Sequence, residues 1–148
     1  VFVNSSVQRV IGVARDLGLN AVQLHGEEDR AYVDNLRAEL PDSVDVWKAL
    51  RVRGRLPELA KTSADRILLD TFTESRRGGT GESFDWTLLD ASPDVILSGG
   101  ISPDNIEEAD AIGAAMIDVN SGVESEPGIK DHEELRVLFS RLRGNRHV

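Results

Sequence analysis

A parallel α/β fold built from six βα units is what the 148 residues predict. Three observations carry that prediction. Short apolar, β-branched runs alternate strictly with longer segments of helical spacing, which implies a parallel sheet with right-handed crossovers. The strands read as continuous apolar runs, as strands buried on both faces do. Polar residues and glycines gather just after the strands, at the edge where parallel α/β folds place their sites. Alternation alone leaves an open doubly wound sheet and a closed (β/α)8 TIM barrel about even. A complete barrel needs at least roughly 200 residues, so a barrel here is N-terminally truncated to about six units. No second domain or low-complexity linker interrupts 1–148, which reads as a single domain, a partial one on the barrel alternative.

The elements follow in order. Val1–Val3 is a strand end. Asn4, Ser5 and Ser6 can cap a helix over Val7–Leu17, where Val7, Val10, Ile11 and Ala14 recur at helical spacing and Gly18 closes the helix. Ala21–Leu24 is a strand, and Glu28–Leu40 a helix stopped by Pro41. Val44–Leu50 is a strand and Leu56–Lys61 a short helix. Arg66–Asp70 is a strand around Ile67-Leu68-Leu69. A glycine-rich loop, Arg76–Gly81, precedes a helix near Phe84–Leu89. Val95–Ser98 is a strand, followed by a helix over Pro103–Ile112 with proline in its first turn. Met116–Val119 is the last strand and Asp131–Leu142 the last helix. The chain begins Val1-Phe2-Val3 without an initiator methionine, as a fragment or a trimmed chain would.

Composition narrows the function. Seventeen basic against 26 acidic residues give a net charge of −9. That argues against nucleic acid or an anionic membrane as partner, since phosphate backbones need a basic footprint. One small anion is still within reach of backbone N–H groups and helix N-termini. No apolar run approaches the roughly 18 residues of a membrane span, and no leader pattern is present, so a cytoplasmic location is expected. Only Lys48, Lys61 and Lys130 are lysines; salt adaptation and a GC-rich genome both account for that bias. There is no cysteine, so disulfides, thiolate chemistry and cysteine metal sites are excluded.

The candidate site residues lie at the strand ends: Gln23 and His25, Lys48, Asp70, Gly99 and Gly100, and Asp118 with Asn120, Ser121 and Gly122. Ser98-Gly99-Gly100 and Asn120-Ser121-Gly122-Val123 suit a phosphate cradle, because glycine lets the backbone approach an anion closely. The glycines alone would equally serve tight turns. Asp70 ends an apolar strand, where desolvation would raise its pKa and suit it to general-acid work; a helix cap or a partner for Arg76 or Arg77 is the plainer use. Lys48 is a Schiff-base candidate beside the ordinary reading of a lysine paired to a carboxylate. His25 is an acid/base or ligand candidate. A metal site of His25, Asp70 and Asp118 lacks tight ligand spacing, and neither metal nor cofactor is expected. The Arg76–Gly81 loop lacks the Lys-Ser/Thr of a Walker loop and suits a mobile active-site loop or, equally, an ordinary flexible connector.

Taken in order, the motifs Ala21-Val22-Gln23-Leu24-His25-Gly26, Trp47-Lys48-Ala49, Leu68-Leu69-Asp70, Gly78-Gly79-Thr80-Gly81 with Phe84-Asp85-Trp86, Leu97-Ser98-Gly99-Gly100-Ile101-Ser102-Pro103-Asp104-Asn105, Ile117-Asp118-Val119-Asn120-Ser121-Gly122-Val123-Glu124 and Pro127-Gly128-Ile129-Lys130-Asp131 resemble the phosphoribosylanthranilate isomerases along the whole chain. The resemblance tips the fold to the barrel, as its third to eighth units. It implies an Amadori rearrangement of a phosphosugar in tryptophan biosynthesis, with Asp70 as general acid. It places the phosphate on Gly99, Gly100, Asn120, Ser121 and Gly122. Asp118 would hold a substrate hydroxyl or the developing enolamine, and Gln23 and His25 would line the pocket. The family's base is a cysteine of a Cys-Gly motif after strand one, and an arginine after strand two meets the anthranilate carboxylate. Neither is matched here, so this chain alone is expected to be inactive. A non-catalytic phosphate-ligand module is the alternative. Another phosphosugar barrel, of the thiamine-synthase or tryptophan-synthase α kind, is disfavoured by the Phe84-Asp85-Trp86 and Asn120–Glu124 motifs. Indoleglycerol-phosphate synthase is the implied fusion partner or neighbour.

Overall fold

The computed structural model describes residues 1–52, 62–71, 86 and 94–144. The element order is α1 (Val7–Leu17), β1 (Ala21–Leu24), α2 (Arg30–Glu39), β2 (Asp45–Val52), β3 (Arg66–Thr71), β4 (Val95–Ser98), α3 (Ile106–Ala111), β5 (Met116–Asp118), a 3₁₀ turn (Ser121–Val123), β6 (Glu124–Glu126), β7 (Ile129–Lys130) and α4 (His132–Gly144). One sheet takes the order β1-β2-β3-β4-β5. The pairs β1–β2 and β4–β5 are parallel, and Phe2 adds a parallel bridge to Leu24. All six expected strands are therefore present, the first as a bridge. The expected short helix at Leu56–Lys61, the Arg76–Gly81 loop and the helix near Phe84–Leu89 lie outside the described residues, Trp86 excepted. Among the described residues, no helix is long and apolar enough to cross a membrane.

The described residues fall into two compact units, 1–50 with 62–68, and 51–52 with those from 69 onward. In the first, α1 and α2 cover one face of β1 and β2. Val10, Ile11 and Ala14 of α1 meet Val33 and Leu36 of α2, the strand residues Val22, Leu24 and Val46, and Val44 just before β2. The two-residue alternation of the strands sends Val22, Leu24 and Val46 to the helices. Each such side chain, fully buried, contributes about 1.5–3 kcal/mol. Ser6 caps α1 by accepting from the Arg9 N–H, and Gly18 ends it at φ 60°, in the left-handed region.

Helix α2 starts two residues later than the sequence predicts. Glu28 is drawn to Lys48, and Asp29 becomes the cap by accepting from the Tyr32 N–H at 2.8 Å.

In the second unit, β4 is wholly buried and pairs Ile96, Leu97 and Ser98 with Met116, Ile117 and Asp118. Helix α3 is shorter than the Pro103–Ile112 expectation. Asn105 Oδ1 accepts from the Ser102 N–H at 2.8 Å, and its Nδ2 donates to the Gly100 carbonyl at 3.0 Å. Those bonds hold 100–105 as a turn, and the helix begins only afterwards. The β6–β7 hairpin, unforeseen from sequence, turns at Gly128 with φ 83°. Asp131 caps α4 by accepting from the Glu133 N–H at 2.8 Å.

Candidate functional site

Strand alternation sorts the candidates of the first unit onto two faces. Gln23 pairs in register with Trp47, and Leu24 with Lys48. Leu24 packs among the helices, so Lys48 is on the helix side and Gln23 on the other. Gln23 Nε2 lies 3.1 Å from His25 Nδ1. An amide nitrogen only donates, so in the neutral ring Nδ1 accepts and the proton is carried on Nε2. The two expected pocket-wall residues are thus joined. On their face, Trp47 carries a buried indole N–H without a partner among the described residues, a donor that sequence reasoning passed over.

Lys48 is not placed as a Schiff-base amine. Its side chain is 6% exposed and that of Glu28 1%, with Nζ 3.0 Å from Glu28 Oε2. Nζ also donates to the Gly26 carbonyl at 2.7 Å. Glu28 accepts in addition from the Asn4 N–H at 2.8 Å and the Gly26 N–H at 2.9 Å. Burial pushes the Glu28 carboxyl up, but the Lys48 hydrogen bond and the backbone N–H groups outweigh it and hold the group below its ordinary value. Burial, then the nearby Glu28 charge, pushes the Tyr32 hydroxyl up. Glu28 was missed in the sequence. The signal was there: a lysine inside an apolar strand needs a counter-charge, and Glu27-Glu28 follow the preceding strand.

The second unit holds the other candidates. Asp70 is the penultimate residue of β3 and half-buried; β3 neighbours β4 in the sheet. Ser98 ends β4, Asp118 ends β5, and the two are register partners. Ser98 Oγ donates to Asp118 Oδ2 at 3.1 Å, and Ser98 is 8% exposed. That bond fixes the Asp118 carboxylate at the strand edge. Gly99 and Gly100 follow with φ of 86° and 66°, conformations that favour glycine. Gly122 sits against the preceding loop: a Cβ there would come within 1.8 Å of the Ile101 carbonyl oxygen. The loops after β4 and β5, expected together to hold a phosphate, are therefore in contact.

Asn120 is tied to the hairpin that follows. Its side-chain oxygen and its carbonyl accept from Lys130 Nζ, the carbonyl at 2.8 Å, and Lys130 also bonds Glu124 at 2.6 Å. Asn120 shapes the loop through the hairpin, a role that sequence reasoning did not foresee. The Lys130 hydrogen bond, with one from the Gly128 N–H, holds the Glu124 carboxyl below its ordinary value. Among the described residues, no group of three acidic or histidine side chains is placed to hold a metal ion.

Residues 1–141 match the family model described as N-(5'phosphoribosyl)anthranilate (PRA) isomerase. A relative in Vibrio cholerae, tryptophan biosynthesis protein TrpCF, is 50% identical over 143 residues, 97% of this chain and 30% of its own length. The phosphoribosyl anthranilate isomerase structure from Thermus thermophilus superposes with a TM-score of 0.78 at 35% identity, over 98% of this chain and 71% of that one. A further isomerase structure, in complex with a reduced carboxyphenylamino-deoxyribulose 5-phosphate, gives 0.71 at 30% identity, over 97% and 69% of the two chains. The chain spans about 30% of the length of the curated relatives it matches.

Proposed function

The chain belongs to the N-(5'-phosphoribosyl)anthranilate isomerase family, and we propose that it carries the acid and the phosphate cradle of that family's Amadori rearrangement. The substrate is a phosphosugar, N-(5-phosphoribosyl)anthranilate, and the product its aminoketose. The units correspond to the third to eighth of a (β/α)8 barrel, taken as one partial domain across 1–148, in a cytoplasmic enzyme of tryptophan biosynthesis.

The observation that carries the reading is the contact of Gly122 with Ile101. It brings the loops after two adjacent parallel strands together at the carboxyl edge, where barrels bind phosphate. Gly99, Gly100, Ser121 and Gly122 supply close-approach backbone, and Asn120 sets its path. Asp70 donates a proton to the ribose ring oxygen as the C1–O bond breaks and nitrogen supplies the electron pair that forms the iminium. A base then takes the C2 proton, and the C–H electron pair forms the enolamine. Asp118, oriented by Ser98, holds a hydroxyl of that intermediate. Gln23 and the Nε2–H of His25 line the wall. Proton delivery and removal need two groups; the family's base is a cysteine, and none stands among these 148 residues. The chain alone is inactive on this account. A second enzyme activity fused to the isomerase, indoleglycerol-phosphate synthase, suits relatives of which this chain spans about 30%.

The absent cysteine favours one rival, a non-catalytic phosphate-ligand module. Turnover by this chain joined to a segment bearing a Cys-Gly strand separates the two. The isomerase reading expects loss of phosphoribosylanthranilate fluorescence, abolished by Asp70→Asn. Phosphate binding without turnover would favour the rival.

A further inference from the structure

The buried Glu28–Lys48 pair is not used by the proposed chemistry, yet it sits beside His25. Five hydrogen bonds converge on this short stretch. Lys48 Nζ reaches Glu28 Oε2 and the Gly26 carbonyl; Glu28 accepts from the Gly26 and Asn4 N–H groups. Asn4 Oδ1 accepts from the Glu27 N–H at 2.7 Å. The Gly26 peptide is thus held on both its N–H and its C=O. One residue earlier, the His25 N–H donates to the Phe2 carbonyl at 2.8 Å. A Cβ on Gly26 would lie 2.3 Å from Asn4 Oδ1 and 2.7 Å from the Asn4 backbone nitrogen, so the Asn4 segment closes over this peptide. Asn4 itself adopts φ 50°, a left-handed conformation that costs about 1–2 kcal/mol outside glycine. A fold seeking stability alone gains little from a buried ion pair, which well-packed apolar residues usually match or exceed. What such a pair does supply is a fixed arrangement of the groups it bonds.

We propose that Glu28 and Lys48 are positioning residues that clamp the Gly26 peptide and so hold His25 against Gln23 in its Nε2–H form. Lys48 acts from the helix side of the sheet, and His25 receives the effect on the opposite side through the backbone. The importance of His25 rests on its reading as a pocket-wall residue. The clamp itself does not, because its test involves neither substrate nor turnover.

The test is a multiple-bond ¹H–¹⁵N spectrum of the ¹⁵N-histidine-labelled chain above the histidine titration range, with His25 assigned through His25→Gln. The wild-type chain should show a pyridine-like Nδ1 and a pyrrole-like Nε2 for His25. In Lys48→Met the two signals should move toward the tautomer average, while the exposed His132 keeps its pattern. Because Lys48→Met leaves a buried carboxylate alone, the neutral Glu28→Gln/Lys48→Met double variant is read beside it and should show the same averaging with a recovered melting temperature. An unchanged His25 pattern in a folded variant would overturn the proposal. So, with no variant needed, would a wild-type Gly26 amide that exchanges as fast as the exposed loop amides.

Discussion

Two lysine–glutamate pairs brace two loop clusters, and they differ in exposure. Lys48–Glu28 lies at 3.0 Å with side chains 6% and 1% exposed; Lys130–Glu124 lies at 2.6 Å with 37% and 14%. Each lysine also bonds a loop carbonyl, that of Gly26 or of Asn120. The shorter pair is the weaker brace. Water can replace either partner of the more exposed pair, which is screened and therefore contributes little. Nothing replaces a lost partner in the buried one. Loop geometry at the proposed phosphate end is therefore set mainly by glycine shape, and at the His25 end by charge.

That contrast can be broken from either side. The largest effect is expected at the buried pair: Lys48→Met should cost about 3–5 kcal/mol in urea unfolding, most of it recovered by adding Glu28→Gln. A cost no greater than that of Lys130→Met would erase the distinction. Next comes Gly122→Ala, whose Cβ meets backbone oxygen rather than a movable side chain. It should cost about 1–3 kcal/mol and abolish the rise in melting temperature given by inorganic phosphate. Retained phosphate protection would separate the loop contact from the anion site.

The smallest effect is expected at the more exposed pair, where Glu124→Gln should change the melting temperature little and less still in high salt. A large, salt-independent drop would show that the pair is not solvent-screened. Acid pH sharpens the same contrast. Glu28 is held below its ordinary carboxyl value, so its ionised form stabilises the fold above that value, and the contribution is lost as pH falls through the lower folded pKa. Glu28→Gln should therefore flatten the acid limb of the stability profile. An unchanged limb in that variant would place acid sensitivity elsewhere.

The sequence made the strands legible because buried parallel strands leave continuous apolar runs, and each of the six recurs in the structure. Helix starts were less legible. Those of α2 and α3 depend on side chains already engaged, Glu28 by Lys48 and Asn105 by the loop, and propensity carries no such information. The hairpin at Glu124–Lys130 was invisible because its residues are exposed and lack strand alternation. The glycines and Asp118 could be singled out one at a time from their place after strands. That Gly122 touches Ile101, that Ser98 orients Asp118 and that Glu28 answers Lys48 are facts of three-dimensional neighbourhood, carried by pairs far apart in the chain. Lys48 stood out from its place late in an apolar strand, but the face it takes is decided only by the register with Leu24.

The central claim is that these residues supply an acid and a phosphate cradle but no base. It is tested most directly by following phosphoribosylanthranilate fluorescence with the chain alone, beside a titration with the reduced product analogue bound in a related isomerase. The account predicts saturable binding of the analogue, weakened by Gly122→Ala, and no turnover. Measurable turnover by this cysteine-free chain would contradict it.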